Sequence, residues 1–189
     1  MNTQNVTASK PKTGGAIYRA PVGAKLPVTY SEQLDSAFKN LGFVSEDGII
    51  NGNSPSGDKV KAWGGATVLN YMDDKPDTFK MKLLEAFNAD VLKTIYNEKN
   101  VVVAEGSGDI HITATAEDMA QYVWVIDMIL KGGRAKRIVI PSASITEMEE
   151  IVYKDNEPIG YGITLSAVPD ASGAYHHEYI QGASPAATT

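Results

Sequence analysis

Apolar and polar residues alternate most regularly near the end of the chain. Ile159, Tyr161, Ile163, Leu165 and Ala167 interleave with Gly160, Gly162, Thr164 and Ser166, the two-residue period of a strand with one buried and one solvated face. The run Ile145 to Tyr153 reads as its hairpin partner across the turn residues Asp155-Asn156-Glu157-Pro158. Phe79, Met81 and Leu83 set against Thr78, Lys80 and Lys82 predict another half-buried strand. Val101–Val103, Ile110–Thr113 and Lys136–Ile140 predict three short ones, and Lys59–Leu69 a strand broken at Gly64-Gly65 by a bulge or a close backbone approach. Between Met119 and Leu130 the pattern fits either period. Tyr122, Val123, Ile126, Ile129 and Leu130 suit a helix, while the composition Tyr-Val-Trp-Val-Ile suits a strand. The Gly132-Gly133 pair that follows resembles a hairpin loop and favours the strand.

Two stretches carry the helical period instead. Thr29 and Glu32 have capping-box spacing, Leu34, Ala37, Phe38 and Leu41 form an i, i+3, i+4, i+7 stripe, and Gly42 stands where a left-handed cap belongs. Asn88 to Tyr96 predicts a second, shorter helix, with Asn88 as cap, Asp90 in the first turn and Val91, Leu92 and Ile95 as its stripe. The expected fold is therefore mainly β, a β-sandwich or barrel with one or two flanking α-helices and extended N- and C-terminal arms. In domain terms, residues 1–28, with Pro11, Gly14-Gly15, Pro21, Gly23 and Pro27, read as an extended arm. Residues 29–180 read as the β-sandwich domain, with a turn-rich mobile loop at 45–58, and 181–189 as a flexible tail.

Charge adds a further constraint. The 189 residues carry a formal net charge of −6, the opposite of what a protein gripping nucleic acid through its phosphates shows. The charge is also blocky. Lys10, Lys12, Arg19 and Lys25 fill the first thirty residues with no acid, five acids and no base occupy 101–130, and Lys131, Arg134, Lys136 and Arg137 follow directly. Such blocks are either solvated faces or, between identical copies, complementary patches that fix an orientation of association. No apolar run approaches the ~18 residues of a membrane span, and the first residues lack the apolar core of a signal peptide; a soluble, cytoplasmically made protein is expected.

Catalytic and metal-binding patterns are absent or weak. The chain has no cysteine, which removes disulfides and thiolate chemistry. His176 and His177 are adjacent and would point to opposite sides of a strand, and His111, between Ile110 and Ile112, is expected to face solvent. Gly52 to Lys59 misses a phosphate loop because Asp58 precedes the lysine and no Ser or Thr follows it. The carboxylate neighbours Asp73-Asp74 and Glu149-Glu150 read as solvated acids. Trp63 and Trp124 are expected as core anchors. Neither cofactor nor metal is expected, and the pattern is not that of an enzyme.

The order of motifs resembles the major tail tube proteins of bacteriophages with long, non-contractile tails. Leu26-Pro27, the 34–42 stripe, Phe43-Val44-Ser45-Glu46-Asp47-Gly48, Lys61-Ala62-Trp63-Gly64-Gly65 and Thr78-Phe79-Lys80 occur in that order. They are followed by the run Glu85 to Lys93, Lys136 to Pro141, Val152 to Asp155 and Ile163 to Asp170. This resemblance implies a β-sandwich subunit that assembles into stacked, six-membered rings, each copy giving strands to a continuous barrel around a lumen. Partners would be further copies of the chain, a tape-measure protein, a tail terminator and distal tail proteins, with DNA passing through the lumen without specific binding. The implied location is the virion, after assembly in the host cytoplasm, with no membrane contact. On this reading Glu147 and Glu149 are candidate lumen-facing acids, and Lys10, Lys12, Arg19, Arg134, Lys136 and Arg137 are candidate inter-subunit contacts, the arm docking on acidic surfaces of neighbouring rings. The alternative is a non-enzymatic β-rich virion decoration or carbohydrate-binding module; a hydrolase using scattered acids fits least.

Overall fold

A computed structural model describes residue 1 and residues 3–182; most of the expected C-terminal tail, 183–189, lies outside the described residues, as do the side chains of Asp73 and Asp74. In chain order the strands are β1 (Ser9–Pro11), β2 (Ile17–Pro21), β3 (Lys39–Asn40), β4 (Val44–Asn53), β5 (Ser56–Lys61), β6 (Thr67–Asp74) and β7 (Asp77–Leu83). After the helix α1 (Ala89–Tyr96) come β8 (Val101–Val103), β9 (Ile110–Ile112), β10 (Tyr122–Leu130), β11 (Ala135–Met148), β12 (Tyr161–Ala167) and β13 (His177–Ile180).

One long strand organises the sandwich. The first part of β11 pairs with β10 and β13, and β10 continues to β1 and β2, which carries β3. The second part, from Ala143, pairs with β12, followed by β7 and β4. Two register shifts let β11 serve both halves. Ile140 lies opposite Trp124 but Ala143 opposite Tyr122, so the core-facing positions change from even (Ile138, Ile140) to odd (Ala143, Ile145) around Pro141-Ser142. A proline fits there because a bulge releases one backbone donor from the ladder. The second shift, at Thr146, turns Glu147 outward beside Thr164, whereas simple alternation would have placed it on the same side as the buried Ile145.

Between the halves lies the main core: Trp124, Ile126, Ile138 and Ile140 from one side and Phe79, Met81, Leu83, Ile163 and Leu165 from the other, closed by Val91, Leu92 and Ile95 of α1. The helix starts as its sequence predicts, the Asn88 side chain accepting the Asp90 N–H at 3.0 Å. The ambiguous 122–130 segment is a strand with both faces covered from Tyr122 to Asp127, which is why it lacked clean alternation. Its second face, with Val123, Val125 and Val139, lies beneath Leu26, Leu34, Ala37 and Phe38.

That covering segment corrects the expectation of a helix over 29–42: it is turns and bends, ending in β3. The first capping contact nevertheless forms, the Glu32 N–H donating to Thr29 Oγ1 at 3.0 Å, while Glu32 Oε2 accepts the Val28 N–H at 2.8 Å, one residue before the cap. The helix fails because its carbonyls are taken. Arg137 Nη1 donates to the Thr29 and Glu32 carbonyls at 3.2 and 2.5 Å, the oxygens that would accept the first intrahelical bonds. At the far end the Leu41 N–H donates to the Ile17 carbonyl at 2.9 Å, drawing the chain into the sheet. Part of the expected arm also belongs to the body, since β1 and β2 are strands of the central sheet and Ile17 and Ala20 are fully buried.

Candidate functional site

Surfaces that could join copies of a β protein are open strand edges, apolar protrusions and charged faces. All three are present. Beyond Ala143, among the described residues, β11 has a neighbour only on its β12 side, and β4 is paired only with β7. The four-stranded half of the sandwich, β11-β12-β7-β4, therefore has an unpaired rim at each side.

Its outer face is largely polar. Gly52, Thr78, Lys80, Lys82, Gly162, Thr164, Ser166 and Glu147 share it by register, with Ile50 as the apolar exception. Both candidate acids lie here. Glu149 pairs with Lys80 at 2.8 Å, which holds the glutamate below its ordinary range and lifts the lysine above its own. Thr164 Oγ1 donates to Glu147 Oε2 at 3.4 Å. Lys82 adds a second cation, so the charges named here balance; the sequence reading, which singled out the two acids, missed Lys80 and Lys82 because only register places them opposite.

The basic candidates divide into two groups. Arg137 is 2% exposed and grips Asp127 through Nε and Nη2, at 2.6 and 2.8 Å. Arg19, 1% exposed, donates to Thr94 Oγ1 at 2.5 Å and Glu98 Oε1 at 2.6 Å, and lies 4.3 Å from the Tyr122 ring centroid. Both are corrections to the expectation of surface contacts: a planar fork that binds bidentately suits a buried pair, and the signal available in sequence was Asp127, an acid inside an otherwise apolar strand. Lys12 reaches the same Asp127 at 3.2 Å but keeps half of its side chain in solvent. Lys136 pairs with Glu178 at 2.8 Å across β11 and β13, Arg134 is half-buried, and Lys10 is exposed.

The third surface covers the segments expected as a mobile loop, 45–58, and an interrupted strand, Lys59–Leu69. Here β4 runs on past Ser54-Pro55 into β5, and β6 runs past Lys75-Pro76 into β7, so the segment 44–83 is one long hairpin. Its distal part, the ribbon β5–β6, pairs with nothing else among the described residues. The register sets Val60 opposite Leu69 and Asp58 opposite Tyr71 on one face, and Lys59 opposite Asn70 on the other. Gly64-Gly65 is the hairpin tip, closed by the Ala62 N–H to the Ala66 carbonyl at 2.8 Å, and Trp63 stands there fully exposed. Trp124 is the core anchor expected of it, its indole donating to the Ala143 carbonyl at 3.3 Å; Trp63 is not.

The sequence matches the family model described as phage tail tube protein over residues 1–188, and the chain belongs to that family. No curated protein matches it. Family membership gives the chain a structural role in the tail tube of a virion. No helix among the described residues is long and apolar enough to cross a membrane.

Proposed function

We propose that this protein closes six copies of itself into a ring, that rings stack into the tail tube, and that DNA passes through the bore. The observation that carries the reading is the pair of unpaired rims on β4 and β11. A head-to-tail contact between them makes each sheet continuous with the next and removes both exposed edges, and a heterologous contact of this kind closes into a ring when its rotation allows. Each copy supplies four strands, β11-β12-β7-β4. Six such sheets, at ~4.8 Å per strand and a tilt of about 40°, give a wall about 48 Å across between backbones. That leaves room for duplex DNA, particularly past a face carrying Gly52, Gly162, Thr164 and Ser166. On this face Glu147 and Glu149 look into the lumen with their charge largely balanced by Lys80 and Lys82. Such a wall offers phosphate no net cationic surface to bind.

The ribbon supports stacking. A two-stranded hairpin is at best marginal alone in water, and this one exposes Val60, Leu69 and Tyr71 on one side. Packing against an adjacent ring would cover them. Tape-measure, terminator and distal tail proteins are the further partners expected of such a tube. Hydrogen exchange on free and assembled protein, with electron microscopy of the assemblies, tests the reading. Backbone amides of 44–53 and 144–148 should slow on assembly; six-fold tubes in which both rims exchange as in the free subunit would refute closure through these edges.

A further inference from the structure

We propose that Trp63 at the ribbon tip seats in a cavity of a second copy of this chain, between the 11–16 loop and the 40–44 segment. The proposal rests on the tube reading and names the contact its ribbon makes. An indole is among the largest apolar groups a protein can bury at an interface, and its N–H needs an acceptor there. Trp63 is carried on a ribbon paired with nothing else among the described residues, which leaves it on offer to a neighbour.

The receiving cavity has a volume of about 530 Å³, within the ~300–1,000 Å³ of small-ligand pockets. Pro11, Ala16, Phe43 and Val44 supply apolar wall, and Glu85 supplies the acceptor. The Glu85 carboxylate takes the Phe43 N–H at 3.2 Å and the Asn88 amide at 2.9 Å, which leaves it lone pairs for one more donor. Gly42, at φ 74°, leaves room for that carboxylate, because a Cβ there would collide with it. Charge favours the same pairing. Lys59 and Lys61 flank the tip, while Glu85 lies in the cavity and Glu46 and Asp47 follow it on β4; the cavity's own Lys12 is committed to Asp127.

The chain contains no cysteine, so placed cysteines report cleanly. Ala62→Cys retains Trp63, and its site bonds only through the backbone; Thr13→Cys lies at the cavity, and Pro158→Cys at the neighbouring cavity beside Phe87 and Tyr161. Full-length A62C is mixed with differently tagged T13C or P158C and treated with a short bifunctional maleimide, with tube formation by the wild type followed in parallel. The expected result is A62C–T13C dimers about tenfold in excess of A62C–P158C and A62C–A62C dimers, lost when W63A is added to A62C. In the wild-type background W63A should raise the concentration needed for assembly about 30-fold, the loss of a ~2 kcal/mol anchor. Tubes that form normally while crosslinks favour P158C or tip-to-tip pairs, or survive W63A, overturn the contact and leave the tube reading standing; absence of both tubes and A62C–T13C crosslinks overturns both.

Discussion

Replacing Arg137 with Met distinguishes a buried structural cation from a contact between subunits. The guanidinium makes two bonds to Asp127 and two to the carbonyls of Thr29 and Glu32. Methionine fills similar volume but makes none of them. Asp127, 4% exposed as a side chain, keeps one ion pair with Lys12 at 3.2 Å. Breaking a buried pair costs about 3–5 kcal/mol, and the partial rescue by Lys12 argues for the lower end, about 3 kcal/mol. In a domain of this size that corresponds to a fall in Tm of about 6–12 °C. The assay is thermal and denaturant unfolding of the unassembled subunit, with hydrogen exchange on 28–38, which should speed up because Arg137 pins that segment to the sheet. A monomer that loses less than about 1 kcal/mol and keeps 28–38 protected would refute the reasoning and return Arg137 to the surface.

Three further outcomes follow from other parts of the fold. Asp170 accepts the Ser172 hydroxyl at 2.6 Å, His177 at 3.0 Å and the Ala174 N–H at 3.1 Å, and these bonds, the serine's first, hold its carboxyl far below the ordinary Asp value of 3.8. A depressed folded pKa means the turn's contribution is present above the unfolded value and lost as pH falls below it toward the folded one; a carboxyl titration by NMR should place Asp170 under 3.8, and a midpoint at or above it would sink the argument. Asn88→Ala removes the cap of α1 together with bonds to the Asn40 carbonyl and Glu85, and should cost about 1–2 kcal/mol in urea unfolding. Phe79→Ala, in the centre of the main core and edge-on to the His176 ring, should cost about 3–5 kcal/mol by the same measurement.

Local pattern was sufficient wherever one face of an element is buried and the other wet. The alternation in β7 and β12 and the stripe and cap of α1 could be read directly, because burial there repeats at the period of the element itself. Conditions set by distant residues were not legible. Trp63 and Trp124 are the same residue type and both are expected in the core, yet Trp124 closes the core and Trp63 caps a ribbon outside it; which is which depends on where the hairpin bends. The rims of β4 and β11 and the lysines that offset Glu147 and Glu149 exist only through strand order and register.

By itself the sequence determined the β class, the short helix with its cap, and the order of motifs that carried the family resemblance. Only the tertiary structure decided that 29–42 would be turns, because Arg137, more than a hundred residues away, takes carbonyls a helix needs. It also decided that Arg19 and Arg137 would be buried and that Glu147 would face outward past a bulge. Period and capping are interactions among neighbours in sequence and are encoded there; the partner of a buried charge and the face of a bulged strand are fixed by groups that meet only when the chain closes on itself.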